Sequence, residues 1–267
     1  MKKLPQVTAL FWVMKIAATT LGETGGDLLA QTLHIGYALS SLLFIGLFVA
    51  SLTTQLNAKR FHPALYWTVI VSTSTAGTTM SDFMNRSAGL GYARGALVLI
   101  TCLAVVFAIW RRSGQTFAVE QISTFRGELL YWSAILFSNT LGTSLGDFLA
   151  DTTHLGFFGS ALLISGVMVV ILAAHFYTRI SRTLLFWTAF VLTRPLGATV
   201  GDFFTKPRTQ GGLNLGTMGS SAVLATVLLV SIGYSLLKER ALVEGDGALA
   251  GAGADGPVLA PAVVNVD

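Results

Sequence analysis

YWSAILFSNTLGTSLGDFL, residues 131–149, is an apolar run of membrane-helix length that ends near a carboxylate. Gly142 and Gly146 stand four residues apart just ahead of Asp147, and Trp132 opens the run fifteen residues before that aspartate. The same frame occurs three more times: FWVMKIAATTLGETGGDLL (11–29), YWTVIVSTSTAGTTMSDFM (66–84) and FWTAFVLTRPLGATVGDFF (186–204). Each Trp is followed by Gly after ten residues and by Asp after fifteen. The positions are Trp12, Gly22, Asp27; Trp67, Gly77, Asp82; Trp132, Gly142, Asp147; and Trp187, Gly197, Asp202. Four ungapped matches of identical spacing define an internal repeat. Trp12 and Trp132, Trp67 and Trp187, and His34 and His154 are each 120 residues apart, so two unlike repeats are duplicated as a pair.

Composition sets the surroundings of these repeats. Hydrophobic residues make up 53% of the chain and charged residues 11%, with a mean hydropathy of +0.68, whereas a soluble domain carries roughly 25% charged residues. Such a chain cannot cover a water-facing surface and reads as an integral membrane protein. The pI of about 9.4 would suit nucleic acid, but the basic residues sit in short connections between apolar runs, as the positive-inside rule requires. No nucleic-acid partner is expected. Cys102 is alone, so an internal disulfide is excluded. The start, MKKLPQVTALFWVMKIAA, has the basic head and apolar body of a signal peptide, but it is also the first half of repeat 1 and lacks a small-x-small cleavage site. It is read as a retained helix.

Eight stretches have the length of about 20 apolar residues that a bilayer demands: 7–27, 34–53, 63–82, 91–110, 128–147, 156–176, 183–203 and 215–237. The expected fold is therefore an all-α integral membrane bundle of eight transmembrane helices. It consists of four parallel two-helix repeats, about 8–60, 63–112, 128–180 and 183–238, arranged as two similar halves. The transmembrane domain is expected over 1–240. The Ala-, Gly- and Pro-rich 241–267 is expected to be a disordered cytoplasmic tail. Eleven Lys and Arg fall on the side of the termini and four on the other, which predicts cytoplasmic termini and aspartates toward the opposite face.

The small-residue pairs Gly22/Gly26, Gly77/Ser81, Gly142/Gly146 and Gly197/Gly201 predict helix-packing faces. The Trp residues predict interfacial rings at the headgroup level. Trp to Asp spans roughly 22 Å at 1.5 Å per residue, which puts Asp27, Asp82, Asp147 and Asp202 near the far edge of a ~30 Å core. Two readings of them stand. They cap the segment that follows, or they converge on a cation or proton site. Odd repeats add Glu23, His34, His154 and Asp151, whose carboxylates and imidazoles suit a divalent cation such as Mn²⁺ or a proton relay. Even repeats add Arg86 and Lys206, each four residues past its Asp and able to pair with it. Seven residues after each Trp stand Thr19, Ser74, Asn139 and Arg194, polar in every repeat. Arg194, followed by Pro195, demands a counter-charge, a carbonyl or a watered pathway, and Pro195 predicts a kink. Lys15 is expected to snorkel to the near interface. No catalytic template is present; the metal stays open and no cofactor is assigned.

The fourfold Trp…Gly-x-x-x-Gly-Asp pattern resembles a family of bacterial membrane proteins named only for this repeat, a repeat of unknown function with a GxxxGD signature. Its members are often labelled membrane-anchored proteins by analogy with a regulator of antibiotic production. The resemblance covers about residues 8–238; Ser81 stands where the signature has Gly. It implies a multi-pass protein of the bacterial inner membrane and is nearly silent on function. The bilayer is the first expected partner, with a small cation and a second copy of the chain as candidates. The leading expectation is a small transporter or channel for a cation. The alternatives are a non-transporting scaffold or a regulatory or stress-response component, and, more weakly, a membrane enzyme.

Overall fold

The computed structural model describes residues 4–254, with side chains described as far as residue 238. Eight α-helices and no strand occur among the described residues: α1 Ala9–Asp27, α2 Tyr37–Asn57, α3 Pro63–Asp82, α4 Tyr92–Arg112, α5 Phe125–Asp147, α6 Gly156–Tyr177, α7 Arg182–Thr205 and α8 Thr217–Ala254. Of the tail expected to be disordered over 241–267, residues 241–254 continue α8 and residues 255–267 lie outside the described residues. Pro195 sits inside α7, which is one continuous helix.

The odd-numbered helices form a closed inner ring in the order α1, α3, α5, α7 and back to α1. The even-numbered helices lie outside it. Each packs chiefly on the inner helix of the next repeat: α2 on α3, α4 on α5, α6 on α7, and α8 on α1. A two-helix repeat cannot bury its own faces, so the ring is stabilised only when every repeat passes its outer helix forward and the last one closes the circle.

This arrangement inverts the polarity of a soluble protein. Leu42, Leu97, Val170 and Leu229, on the four outer helices, are each about two-thirds exposed. Serine, threonine and charged side chains are packed inside instead. Five helices are long and apolar enough to cross a bilayer: α2, α4, α6, α7 and Thr217–Lys238 of α8. The other three, α1, α3 and α5, all belong to the inner ring, where neighbours cover their polar residues.

Turn chemistry explains how each inner helix delivers the chain to its outer one. In repeats 1 to 3 the α-helix ends on its Asp and runs into one π-helical turn: Leu28–Thr32, Phe83–Ser87 and Phe148–Thr152. A left-handed residue follows: His34 (φ 56°), Gly89 (φ 71°) and His154 (φ 58°). Repeat 4 inserts a 3₁₀ turn, Arg208–Gln210, before Asn214 (φ 58°) takes the same role. Two residues later Gly36, Gly91, Gly156 and Gly216, all at positive φ, open the outer helices. Histidine, like asparagine, is among the non-glycine residues that tolerate this region. The shared position of the two histidines is thus a backbone requirement.

Two expectations about side chains are corrected. Trp67, Trp132 and Trp187 are buried inside the bundle and are not lipid-facing interfacial rings. The residue before each Trp meets the Trp of the next repeat: Phe11–Trp67 at 5.7 Å, Tyr66–Trp132 at 5.5 Å, Tyr131–Trp187 at 5.9 Å and Phe186–Trp12 at 5.7 Å between ring centroids. Tyr66 and Tyr131 also share a hydroxyl hydrogen bond of 2.7 Å. The result is an aromatic collar closing one end of the ring. Lys15 does not snorkel outward either. It is fully buried, with Nζ 4.0 Å from the centre of the Phe190 ring. It points into the bundle, so an outward path to the headgroups is not open to it.

Candidate functional site

Below the collar, residues four apart on the inner helices stack in layers of four, one from each repeat. Three residues past each Trp come Lys15, Ile70, Ile135 and Phe190. The next turn holds Thr19, Ser74, Asn139 and Arg194, the next Glu23, Thr78, Thr143 and Ala198, and the last Asp27, Asp82, Asp147 and Asp202. All sixteen are buried. A spacing of four keeps them on one helix face.

The glycines make this column possible. A Cβ built on Gly77 would lie 2.9 Å from the Asn139 carbonyl carbon, and one on Gly197 would lie 2.8 Å from that of Thr19. At Gly22 and Gly142 it would overlap the side chains of Ser74 and Arg194. In every repeat, then, the first Gly receives the polar residue at Trp plus seven from the following repeat, and Thr19 in the groove of Gly197 closes the cycle. Gly26, Gly146 and Gly201 face Thr78, Ala198 and Glu23 in the same way. Ser81, the one departure, bonds Ser144 Oγ at 2.8 Å, and Asn85 Nδ2 donates to both hydroxyls. At this one level a hydroxyl contact joins α3 and α5, while the close backbone approach between them is kept one turn earlier at Gly77.

Arg194 fills the middle of the ring. Its Nη1 donates to Glu23 Oε2 at 3.1 Å and to the Thr19 carbonyl at 3.2 Å. Its Nη2 donates to the Ser74 carbonyl at 3.2 Å, to Thr143 Oγ1 at 2.8 Å and to Thr78 Oγ1. One guanidinium from α7 therefore ties together α1, α3 and α5, and the counter-charge that the sequence demanded is Glu23. Thr143 also donates to Glu23 Oε2 at 3.2 Å. Asn139, in the same layer, bonds Thr73 Oγ1.

At the far end the four aspartates are joined in two pairs. Arg86 Nε lies 3.1 Å from Asp82 Oδ1, and its Nη2 lies 3.6 Å from Asp147 Oδ2. Lys206 Nζ lies 2.6 Å from Asp27 Oδ2 and 3.2 Å from Asp202 Oδ1. Each cation grips its own aspartate and reaches forward to that of the next repeat, so the duplication of the chain appears as two related clamps. Burial pushes the Lys206 ammonium down, but Asp202 and Asp27 outweigh it and hold the group above its ordinary range. Asp82 and Asp147 do the same for Arg86. Both cations stay charged.

The capping reading does not survive. None of Asp27, Asp82 or Asp147 makes a side-chain cap bond to the turn that follows. Asp27 Oδ1 instead accepts from Gln31 Nε2, one turn on. His34, His154 and Asp151 are exposed and stand outside the ion pairs. The histidines are therefore removed from the candidate cation ligands: the left-handed turn carries their side chains away from the buried layer. The structure groups Glu23, Asp27 and Asp202, each buried, with one carboxylate oxygen apiece inside a 4.8 Å cluster. A surface cavity of about 270 Å³, with Asp27, Gln31, Thr205, Lys206 and Thr217 in its wall, opens beside it. Sequence reasoning missed Glu128, a fully buried carboxylate in the first turn of α5. Its position has no acidic counterpart in the other repeats, so no periodicity signals it.

Comparison with known proteins adds a family and nothing further. No curated protein and no solved structure matches the chain. One family matches it four times, over residues 10–61, 65–116, 130–181 and 185–241. Every match begins two residues before a repeat Trp and runs through the inner helix, the turn and the outer helix. The four matched units are the four repeats of the ring, and the chain belongs to the family described as Repeat of Unknown Function (DUF347).

Proposed function

We propose that this chain is a polytopic membrane protein that binds and carries a small cation, a proton or a divalent metal ion, at the aspartate end of its inner ring. The observation that carries this reading is the charge balance of that layer: four buried carboxylates share two cations, Arg86 and Lys206. An ionised carboxylate held in a low-dielectric interior without full compensation costs several kcal/mol, so the layer favours further positive charge. Oxygen donors of the kind offered by Glu23, Asp27 and Asp202 suit protons and hard divalent ions over soft ones.

In this reading all eight helices cross the bilayer. Five do so by their own apolarity, and α1, α3 and α5 do so because ring neighbours and outer helices screen them from lipid. The basic asymmetry sets both termini in the cytoplasm. The aspartate layer then faces the other side, and the cavity beside Asp27 and Lys206 is its access. Arg194 and the aromatic collar fill the column between that layer and the cytoplasmic end, so passage requires the Arg194–Glu23 pair to part. That describes a gated carrier better than an open pore. No reaction is assigned to the site.

The filled column also favours a second reading, a non-transporting membrane protein whose buried ion pairs fix the register of the four repeats. Flux separates the two. Purified protein in liposomes should carry Mn²⁺, Mg²⁺ or protons. Asp27→Asn and Asp147→Asn should each lose most of that flux while eluting as the wild type does in size exclusion. Full flux from a well-folded variant with all four aspartates changed to asparagine would leave the structural reading standing.

A further inference from the structure

A second cavity lies at the opposite end from the aspartates, away from the residues of the cation reading. It encloses about 710 Å³ between the end of α4, the connection 113–124 and the start of α7. That is within the ~300–1,000 Å³ range of sites that hold a small organic molecule. From its geometry we propose that it binds one anionic phospholipid, the acyl chain within the cavity and the phosphate on Arg111. The inference rests on the chain's residence in a bilayer and is independent of the cation reading.

The cavity is a built one. The connection 113–124 joins the two halves and is longer than the other links into inner helices, 58–62 and 178–181. It folds Phe117 into the bundle, where the ring stacks on Trp110 at 4.9 Å, and the Phe117 carbonyl accepts from Trp187 Nε1 at 3.0 Å. These contacts fix one wall. The wall then changes character along its length. Val191 and Leu192 lie more than two turns into α7 and are half-buried, while Ser181, Thr183 and Arg111 stand at the helix ends. A lining that is apolar along α7 and cationic at the helix ends matches an amphiphile with a negative head. Arg111 is exposed and has no carboxylate partner among the described residues. Arg112 adjoins it, and the basic residues Arg179 and Arg182 belong to the same end of the bundle. The acid of that connection, Glu120, accepts from the Val7 N–H instead. Basic pockets between membrane helices on the arginine-rich side are where anionic headgroups bind.

The test titrates the full chain in detergent with phosphatidylglycerol carrying brominated acyl chains, against equally brominated phosphatidylcholine, and reads tryptophan fluorescence. Trp187 lines the cavity and Trp110 backs it. Phosphatidylglycerol should quench saturably and at lower concentration than phosphatidylcholine. Arg111→Gln should weaken the phosphatidylglycerol response roughly fivefold, the equivalent of about 1 kcal/mol for one headgroup contact, and leave the phosphatidylcholine response unchanged. Val191→Phe, which fills the cavity from within, should remove the saturable phase for both lipids. Equal quenching by the two lipids, or wild-type binding by both variants, would overturn the site. A chain that stays monodisperse without detergent would overturn bilayer residence and the site together.

Discussion

The two ends of the inner ring obey different symmetries. At the collar, Phe11, Tyr66, Tyr131 and Phe186 each meet the next repeat's Trp at nearly the same distance, 5.5–5.9 Å, so the packing is fourfold. At the aspartate end the same four helices present identical carboxylates, yet the contacts are twofold, through Arg86 and Lys206. Aromatic packing is short-ranged and can be repeated around a ring without accumulating cost. Four like charges cannot, because each added carboxylate raises the energy of the others and calls for a cation between neighbours. The duplicated unit is a pair of repeats, and the cation is carried by every second repeat.

Between the ends the backbone packing stays fourfold, but the Arg194–Glu23 pair has no counterpart in the other repeats, and breaking it should have the largest effect. Arg194→Met removes the only cation on Glu23 among the described contacts and strands an ionised carboxylate in the bundle. Breaking a buried pair in this way costs about 3–5 kcal/mol, read as a fall in the thermal midpoint in detergent. Adding Glu23→Leu to Arg194→Met should recover most of that loss. If the double variant is no more stable than the single one, Arg194 acts through its bonds to α3 and α5 and not through its charge.

The two clamps sharpen the comparison next. Lys206 is 14% exposed and Arg86 is 37% exposed. Water screens the Arg86 pair more strongly, so Lys206→Met should cost more than Arg86→Met, with both in the range of about 1–3 kcal/mol. Equal costs would mean that the two halves are energetically equivalent despite their different cations. If the aspartate layer seeks positive charge, Lys206→Met should also bind Mn²⁺ or Mg²⁺ more tightly than the wild type, because the ammonium that occupies Asp27 and Asp202 is gone. This is read by metal-dependent protection in a thermal melt.

Features that recur with one identity could be read from the sequence. Trp, Gly and Asp at fixed offsets gave the four repeats, and the polar position at Trp plus seven pointed to Arg194. The layers at plus three and plus eleven repeat in place but not in chemistry, running Lys, Ile, Ile, Phe and Glu, Thr, Thr, Ala. Only the geometry of the ring reveals them as layers. The Trp residues misled because an amphipathic ring near a helix end has the same sequence signature whether it faces headgroups or a neighbouring helix. The forward exchange of outer helices was hidden as well, since a short connection implies packing on one's own partner, whereas each π-turn and left-handed residue steers the chain to the next inner helix.

Lys15 offers a smaller effect of opposite sign. Its ammonium is buried against Phe190 and has no hydrogen-bond acceptor among the described residues. Methionine has a similar length and suits an apolar layer, and exchanging a poorly compensated buried charge for an apolar side chain stabilises by about 1–3 kcal/mol. Lys15→Met should therefore raise the thermal midpoint. A fall would show that the contact with the aromatic face outweighs desolvation, and that the collar end, too, depends on charge.

The least change is expected at the histidines. His34 and His154 occupy the left-handed position that Gly89 fills in repeat 2 and Asn214 in repeat 4. Gly reaches that conformation without strain, so a double His34→Gly, His154→Gly variant should stay within about 0.5 kcal/mol of the wild type, as surface changes away from special features do. Valine in place of His154 should cost about 1–2 kcal/mol, because a branched Cβ crowds the backbone there. The pattern Gly tolerated, Val not, assigns the position to the backbone. Cation binding is the second readout, since the double variant removes both imidazoles and the valine variant removes that of His154. If His→Gly lowers Mn²⁺ affinity while the melt is unchanged, the histidines reach the aspartate layer in a conformation other than this one. Unchanged affinity with a strained valine leaves the cation reading to the carboxylates alone.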